Sequence, residues 1–227
     1  MTDRAGNRVI IDGLLDRIRK PTARELELFE TYLTGYDGDA TKRGLGIDRF
    51  ADNVDTREAL RRLWFDCSLN IDGIWGGYTG PGTKTVLPPK ANAKIDFRLV
   101  PNQSAAEVAQ IVRRHLERNG FGDVKINWWN GYDPSQSDPD SPLVRAALAV
   151  CRSYNMPVEV AVRMAGSAPH YLFTRELKLP LIQFGLGHGG GAHTKDEFLV
   201  VQASLPSRGL GFFERSFVDL LYRFAEI

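Results

Sequence analysis

The residues with the clearest chemical potential lie in a glycine-rich segment, 184–197, which reads Phe-Gly-Leu-Gly-His-Gly-Gly-Gly-Ala-His-Thr-Lys-Asp-Glu. The segment follows a predicted strand, 181–184, and α/β folds place their sites at that end of a strand. Its glycines allow the backbone to approach a ligand closely. His193 could bind zinc, but a zinc site needs at least three protein ligands, and this segment has no Cys or carboxylate pair at a known spacing. The spacing alone leaves His193 either a metal ligand or an ordinary loop histidine.

A serine-hydrolase reading of the same segment finds little support. His188 and the three glycines after it imitate the oxyanion-hole loop of lipase-type hydrolases. Those enzymes carry their nucleophile in a Gly-x-Ser-x-Gly pentapeptide after that loop, and this chain has no such pentapeptide. Ser167 precedes the loop, and a helix N-cap would be enough to explain it.

Arg98 lies on the polar face of a predicted strand, 91–99, in which apolar and polar residues alternate cleanly. From there its guanidinium could form a bidentate pair with a substrate carboxylate. The simpler reading is a solvated or paired surface arginine.

The elements around these residues predict an α/β chain that begins with an α+β domain, an antiparallel sheet with helices on one face. Capping boxes begin helices at Thr22 and Ser104, and Asp55 with Glu58 begins another. Strands are predicted at 68–75, 91–99 and 124–128.

A proline-rich stretch, 133–142, is the best boundary in the chain. The sequence therefore predicts a first domain at 1–134, whose first ~65 residues are a helical lead-in, and a second domain at 135–227. The second domain's predicted elements are helix 142–154, strand 158–162, helix 168–177, strand 181–184 and a last helix from Ser207. Two clear strands are few for an independent α/β domain, so this part is expected to belong to a larger one.

The amino-acid composition argues against some classes of binding partner. The 29 basic and 28 acidic residues nearly cancel, so no global field recruits nucleic acid or an anionic membrane. With no long apolar run and a polar start, the chain is expected to be cytoplasmic. Cys67 and Cys151 have no second thiol at metal or redox spacing and are expected to be buried, reduced thiols.

Two longer segments carry a family resemblance: Leu-Asn-Ile-Asp-Gly-Ile-Trp-Gly-Gly-Tyr-Thr-Gly-Pro-Gly-Thr-Lys-Thr-Val-Leu-Pro at 69–88 and Ala-Lys-Ile-Asp-Phe-Arg-Leu-Val-Pro at 93–101. Together with Gly166-Ser167 and the segment 191–197, in that order, they resemble the zinc peptidases that include aminoacylases, carnosinase-type dipeptidases and glutamate carboxypeptidases. The cytosolic dipeptidase branch is the most similar. The resemblance covers nearly the whole chain.

The resemblance implies a catalytic domain interrupted by a lid that mediates homodimerisation. Residues 1–134 would then be the lid or dimerisation domain, and residues 135–227 would be the C-terminal segment of the metal-dependent catalytic domain. It also implies two zinc ions, or manganese or cobalt, and a metal-activated water that attacks a small peptide or an N-acyl amino acid. Carried over by position, His193 matches a metal ligand, and Gly166 and Gly191 match positions of close backbone approach. Arg98 matches a contact to the substrate carboxylate, and Thr85 and Ser167 match polar contacts to the substrate.

The chain also departs from the family. The family's His-x-Asp pair, Glu-Glu pair and His-Ser-Gly motif are absent from these 227 residues, so no catalytic residue is assigned here. The chain is therefore expected to be a fragment, a truncated reading frame or half of a split enzyme. It should be inactive and bind zinc weakly without the missing N-terminal half. The alternative is a non-catalytic dimerising or binding module derived from that family.

Overall fold

The computed structural model describes residues 1–3, 8–129, 131–202 and 209–227. These residues form two compact units. The first contains Met1–Pro134 together with Ala161–Pro169, and the second contains Ser135–Val160 and His170–Ile227. The assignment of 135–227 to a catalytic domain stays a prediction. Among the described residues, no helix is long and apolar enough to cross a membrane.

Three helices form the lead-in of the first unit: α1 (Ala23–Gly35), α2 (Gly38–Leu45) and α3 (Thr56–Phe65). Thr22 begins α1 with a complete capping box, because its hydroxyl accepts from the Glu25 N–H and the Glu25 carboxylate accepts from the Thr22 N–H. Asp55 begins α3 by accepting from the Glu58 N–H at 2.8 Å. Both predicted caps are confirmed.

A β-hairpin follows, in which β1 (Ser68–Gly76) pairs antiparallel with β2 (Ala91–Arg98). The register shifts between Ile71 and Gly73, so this ladder contains a bulge. The next helix is α4 (Ala105–Arg118). The hairpin packs on a core at one end only. That core contains Val9, Ile11, Leu14, Cys67 and the α4 residues Val108, Ile111 and Val112, against which Leu69, Phe97 and Leu99 pack.

The prediction of a half-buried strand at 91–99 is therefore only partly right. Residues 91–95 are exposed on both faces of the hairpin, since the core does not reach the end near the connecting loop. A third strand at 124–128 does not form, and in the described residues the sheet has two strands. Val124 and Trp128 stay exposed, and only Ile126 of the predicted alternation packs on the core. A strand needs backbone hydrogen bonds to the edge of a neighbouring strand, and residues 124–128 do not pair with β1 or β2.

The predicted capping box at Ser104 is also wrong. Ser104 makes no capping hydrogen bond with its side chain. The carboxylate of Asp133 takes that place and accepts from the Ala105 N–H at 2.8 Å. A cap 28 residues away in sequence cannot be recognised from a local motif.

A second core in the first unit is aromatic. Phe29 of α1 meets Trp64 and Phe65 of α3 edge to face, with both pairs of ring centroids 5.6 Å apart. Leu60 completes the buried cluster, and Val162 packs against it. This contact is one reason why Ala161–Pro169 belongs to the first unit.

The second unit is built on two helices, α5 (Pro142–Ser153) and α6 (Leu210–Ala225). Ala146, Ala147 and Val150 of α5 meet Leu220 of α6 in its core. Two short strands, β3 (Gly189–Gly190) and β4 (Phe198–Leu199), pair antiparallel. The predicted start of the last helix, Ser207, lies outside the described residues.

Other elements predicted for this part of the chain do not form. No strand occurs at 158–162 or 181–184, and the predicted helix 168–177 shrinks to a π-helical turn, Leu172–Glu176. The Ser137 side chain makes the hydrogen bonds that a neighbouring strand would otherwise provide. Its hydroxyl accepts from the Leu181 N–H at 3.0 Å and donates to the Leu181 carbonyl at 2.6 Å. The apolar run that suggested a strand instead places Ile182 and Phe184 on the core.

Candidate functional site

Arg98 ends β2, opposite Ser68 of β1. Its Nε and Nη2 donate to the two carboxylate oxygens of Asp96 at 3.2 and 3.0 Å, and its Nη1 donates to the Ser167 hydroxyl at 2.8 Å. Asn70, across the ladder, donates to the same Asp96 carboxylate at 2.9 Å. These bonds use three of the five N–H groups of the guanidinium, so N–H groups remain for a ligand.

Sequence reasoning missed Asp96 and Asn70 as parts of this cluster. The signal was available for Asp96, since residues two apart on a strand share a face. Asn70 could be found only from the register of the hairpin, which pairs it directly with Asp96. Together these two side chains orient the Arg98 guanidinium.

Ser167 belongs to the first unit through the segment Ala161–Pro169. Its reading as a helix N-cap is wrong, because the next helical turn begins only at Leu172, while its hydroxyl accepts from Arg98. A Cβ added to Gly166 would meet only the end of the flexible Met164 side chain, its terminal methyl and its sulfur. Backbone crowding therefore does not require that glycine, and close approach to a ligand stays a prediction for Gly166.

Thr85 is not part of this cluster. It is exposed in the loop between β1 and β2, and its side chain makes no hydrogen bond within the described ranges. Tyr78 is tied to the same loop, since its hydroxyl donates to the Pro81 carbonyl at 3.1 Å and Lys84 lies over its ring. The structure thus brings Arg98 and Ser167 together and leaves Thr85 apart from them.

His193 lies in the second unit, on a turn closed by hydrogen bonds from the N–H and hydroxyl of Thr194 to the Gly191 carbonyl, at 2.9 and 2.7 Å. The His193 N–H donates to the Glu197 carboxylate at 3.2 Å. His193 is exposed, with φ at 65°. This left-handed conformation is uncommon for a residue other than glycine and is found at functional sites.

The five glycines before His193 divide into three groups. A Cβ on Gly189 or Gly190 would meet the carbonyl oxygen or the ring of Phe198, at 2.6 or 3.0 Å, so these two allow β3 to pair closely with β4. A Cβ on Gly185 or Gly187 would meet the Phe213 ring at 2.6 or 2.9 Å, so these two allow the segment to pack on α6. Gly191 has φ at 68°, and its Cβ would lie 3.1 Å from the Thr194 hydroxyl. Only Gly191 therefore serves the turn that carries His193, and the ligand-approach reading of the whole segment is too broad.

A metal site is not complete in the described part of the chain, where no three His, Cys, Asp or Glu side chains lie together in a suitable group. His193 alone cannot meet the ligand number of zinc. If His193 binds a metal, the other ligands come from elsewhere. The two thiols are not candidates, because both are free and buried, and burial raises the pKa of the Cys67 thiol to about 11.

Residues 15–123 match the family model M20_dimer, the peptidase dimerisation domain. The matched segment includes the hairpin, Arg98 and α4. The chain carries an M20 peptidase dimerisation domain. This finding confirms the family resemblance and the α+β character of the lid that the sequence predicts.

Curated relatives of this chain include proteins named as dipeptidases. It is 27% identical over 205 residues to the Cys-Gly metallodipeptidase dug1 of Schizosaccharomyces pombe, a match that covers 84% of this chain and 41% of that protein. It is 31% identical over 140 residues to the Beta-Ala-His dipeptidase of Rattus norvegicus, covering 59% of this chain and 27% of that protein. The chain thus spans less than half the length of these relatives.

Solved structures give the same fold. The M20 family metallo-carboxypeptidase Sso-CP2 of Sulfolobus solfataricus superposes with a TM-score of 0.73 at 27% identity, covering 99% of this chain and 48% of that one. Human carnosine dipeptidase 1 superposes with a TM-score of 0.74 at 23% identity, covering 100% and 48%. The chain spans about half the length of both.

Proposed function

We propose that this chain is part of a metal-dependent dipeptidase or related amidohydrolase, to which it supplies the lid, one metal ligand and contacts to the substrate. One observation carries the proposal. Arg98 and Ser167, which come from two different family motifs and lie 69 residues apart in sequence, are joined by a hydrogen bond of 2.8 Å. The relatives named as dipeptidases, one of them as a metallodipeptidase, support the reaction class.

The proposed substrate is a small peptide or an N-acyl amino acid with a free carboxylate. Arg98 would bind that carboxylate with the N–H groups that Asp96 and Ser167 leave available. Ser167 and Thr85 would provide further polar contacts, and Gly166 would allow close approach of the backbone. Binding by Thr85 requires the exposed loop that carries it to meet the substrate.

The proposed metal role rests on His193 alone. Zinc is the proposed ion, two per complete subunit, with manganese or cobalt as substitutes. Because the described residues hold no group of three possible ligands, we propose that these 227 residues by themselves bind zinc weakly and hydrolyse no dipeptide. The N-terminal half of the enzyme, with its His-x-Asp and Glu-Glu motifs, would be the partner that completes the site.

Complementation tests this proposal. The purified chain would be assayed with dipeptides and zinc, first alone and then with the N-terminal half of the enzyme added as a separate chain. We expect hydrolysis only in the mixture, and its loss on chelation. The matched control is an N-terminal half whose His-x-Asp motif is changed to Ala-x-Ala. Chelator-sensitive hydrolysis by the chain alone would show that the proposal is wrong.

A non-catalytic dimerising or binding module is the second candidate. The match of residues 15–123 to a dimerisation domain favours it, as does the incomplete metal site in the described ranges. Metal content separates the two candidates, since the reassembled dipeptidase needs about two metal ions per subunit. A mixture that associates but holds no metal would favour the module.

A further inference from the structure

Arg163 is a buried cation in the first unit. Its side chain is only 9% exposed, and its guanidinium lies 5.0 Å from the centre of the Phe65 ring. Nη1 donates to the Trp64 carbonyl at 3.1 Å, and Nη2 pairs with the Glu25 carboxylate at 3.2 Å. The guanidinium thus contacts α1 and the C-terminal end of α3 from a segment, Ala161–Pro169, that forms no helix or strand.

Glu25 does not depend on Arg163 for its partners. Arg19 donates to both oxygens of the Glu25 carboxylate, at 2.9 and 2.7 Å, and the Thr22 N–H donates to it at 2.7 Å. Removing the Arg163 charge would leave this carboxylate, 4% exposed, with an ion pair and a capping bond. The usual penalty for stranding a buried charge is therefore avoided.

A contribution to folding stability does not readily explain why the Arg163 side chain is buried. Burial lowers the pKa of its guanidinium, which means that desolvation outweighs the attraction of Glu25. Its Nε is buried with no hydrogen-bond partner in the described part of the chain. Buried ion pairs often contribute little to stability compared with an apolar side chain of similar volume, but some fix a geometry.

We infer that Arg163 is a positioning residue, which holds Ser167 within hydrogen-bond reach of Arg98. Three contacts to Glu25, Trp64 and Phe65 fix the guanidinium in position and orientation, and Ser167 follows four residues later on the same segment. A lysine could pair with Glu25, but its ammonium group could not reproduce the planar arrangement of N–H donors that the guanidinium provides. The inference rests on the proposed function in one respect, that the Arg98–Ser167 pair contacts the substrate.

The full 227-residue chain can be tested by NMR without any hydrolysis. The readouts are the ¹⁵N signals of the Arg98 guanidinium and the methyl order parameters of Ala165 and Ala168, on either side of Ser167. In Arg163→Met, we expect rotation about the Arg98 Cζ–Nη1 bond to become about tenfold faster, as in Ser167→Ala, because one charged hydrogen bond is lost. The methyl order parameters should fall, while Tm stays within about 3 °C.

Two further variants complete the experiment. Arg163→Lys should give Arg98 signals between those of the parent and Arg163→Met, because lysine keeps the charge but lacks the planar guanidinium. Arg113→Met, a change at an exposed arginine of α4, should leave both readouts unchanged.

Either of two results would overturn the inference. One is an unchanged Arg98 signal and unchanged methyl order in Arg163→Met. The other is loss of all signals of the first unit in both Arg163→Met and Arg163→Lys, which would make Arg163 a residue needed for stability. A reassembled enzyme that fails to hydrolyse dipeptides would overturn the proposed function and leave these NMR results standing.

Discussion

Arg98 shares its guanidinium between a carboxylate and a hydroxyl. The bidentate pair with Asp96 joins side chains that are 39% and 33% exposed, and pairs of this kind add little to stability. Its main effect is geometric, because two parallel hydrogen bonds fix the plane of the fork. A substrate carboxylate would meet a guanidinium that is already oriented, which reduces the entropy lost on binding.

Arg98→Ala should weaken recognition of the substrate carboxylate in the reassembled enzyme. The loss should be about 1.5–3 kcal/mol, because a charged hydrogen bond is removed. It should raise KM more than it lowers kcat if the contact is equally strong in the ground and transition states. Steady-state kinetics on dipeptides with free and amidated C-termini provide the measurement and the control. Equal impairment of both substrates would contradict the carboxylate role.

His193→Ala should abolish turnover of the same enzyme at ordinary metal concentrations, because a metal ligand is lost. The matched control is His188→Ala, which changes an exposed histidine in the same glycine-rich segment. Rates and bound metal would be measured for both variants. Full activity in His193→Ala would show that the metal assignment is wrong.

The elements of this chain differ in how far their sequences determine them. Two of the lead-in helices, α1 and α3, carry their signals within a few residues, as at Thr22 with Glu25, and the structure confirms both. The third, α2, was not predicted from the sequence. The strand predictions at 124–128, 158–162 and 181–184 fail, because a strand depends on a neighbour whose presence no local pattern reports. The Asp133 cap of α4 and the Arg98–Ser167 bond share this dependence on distant residues.

Glu58 allows a pH test of α3. Hydrogen bonds from Arg61 and Arg62 lower the pKa of its carboxyl from 4.5 to about 2. A carboxyl whose pKa is lower in the folded chain adds stability that is complete above its ordinary pKa and lost as pH falls through the folded value. The Tm difference between the parent and Glu58→Gln should therefore be largest above about pH 5 and vanish near pH 2.

Thermal unfolding followed by circular dichroism across this pH range would check the result. Glu117→Gln, at an exposed position of α4, is the matched control and should change Tm little at any pH. A Glu58→Gln difference that persists unchanged to pH 2 would show that the two arginines do not stabilise the charged form.

At the scale of the whole molecule, the hairpin leaves apolar surface uncovered. Ile71 and Ile74 of β1 are 55% and 71% exposed. Both lie within the segment that matches the dimerisation domain. Contiguous exposed apolar surface commonly marks an interaction site. A symmetric dimer would cover the same patch on both copies.

The chain should therefore dimerise at micromolar concentration, and Ile74→Lys should weaken the dimer by placing a charge in an apolar contact. The matched control is Leu177→Lys, since Leu177 is 60% exposed but lies in the second unit, outside the matched domain. Sedimentation equilibrium over a dilution series would measure both. We expect the parent and Leu177→Lys to show twice the chain mass, and Ile74→Lys to dissociate at concentrations at least about tenfold higher, as a loss of about 1.4 kcal/mol requires. A monomeric parent would contradict dimerisation, whereas equal dimers in all three proteins would exclude the hairpin as the interface.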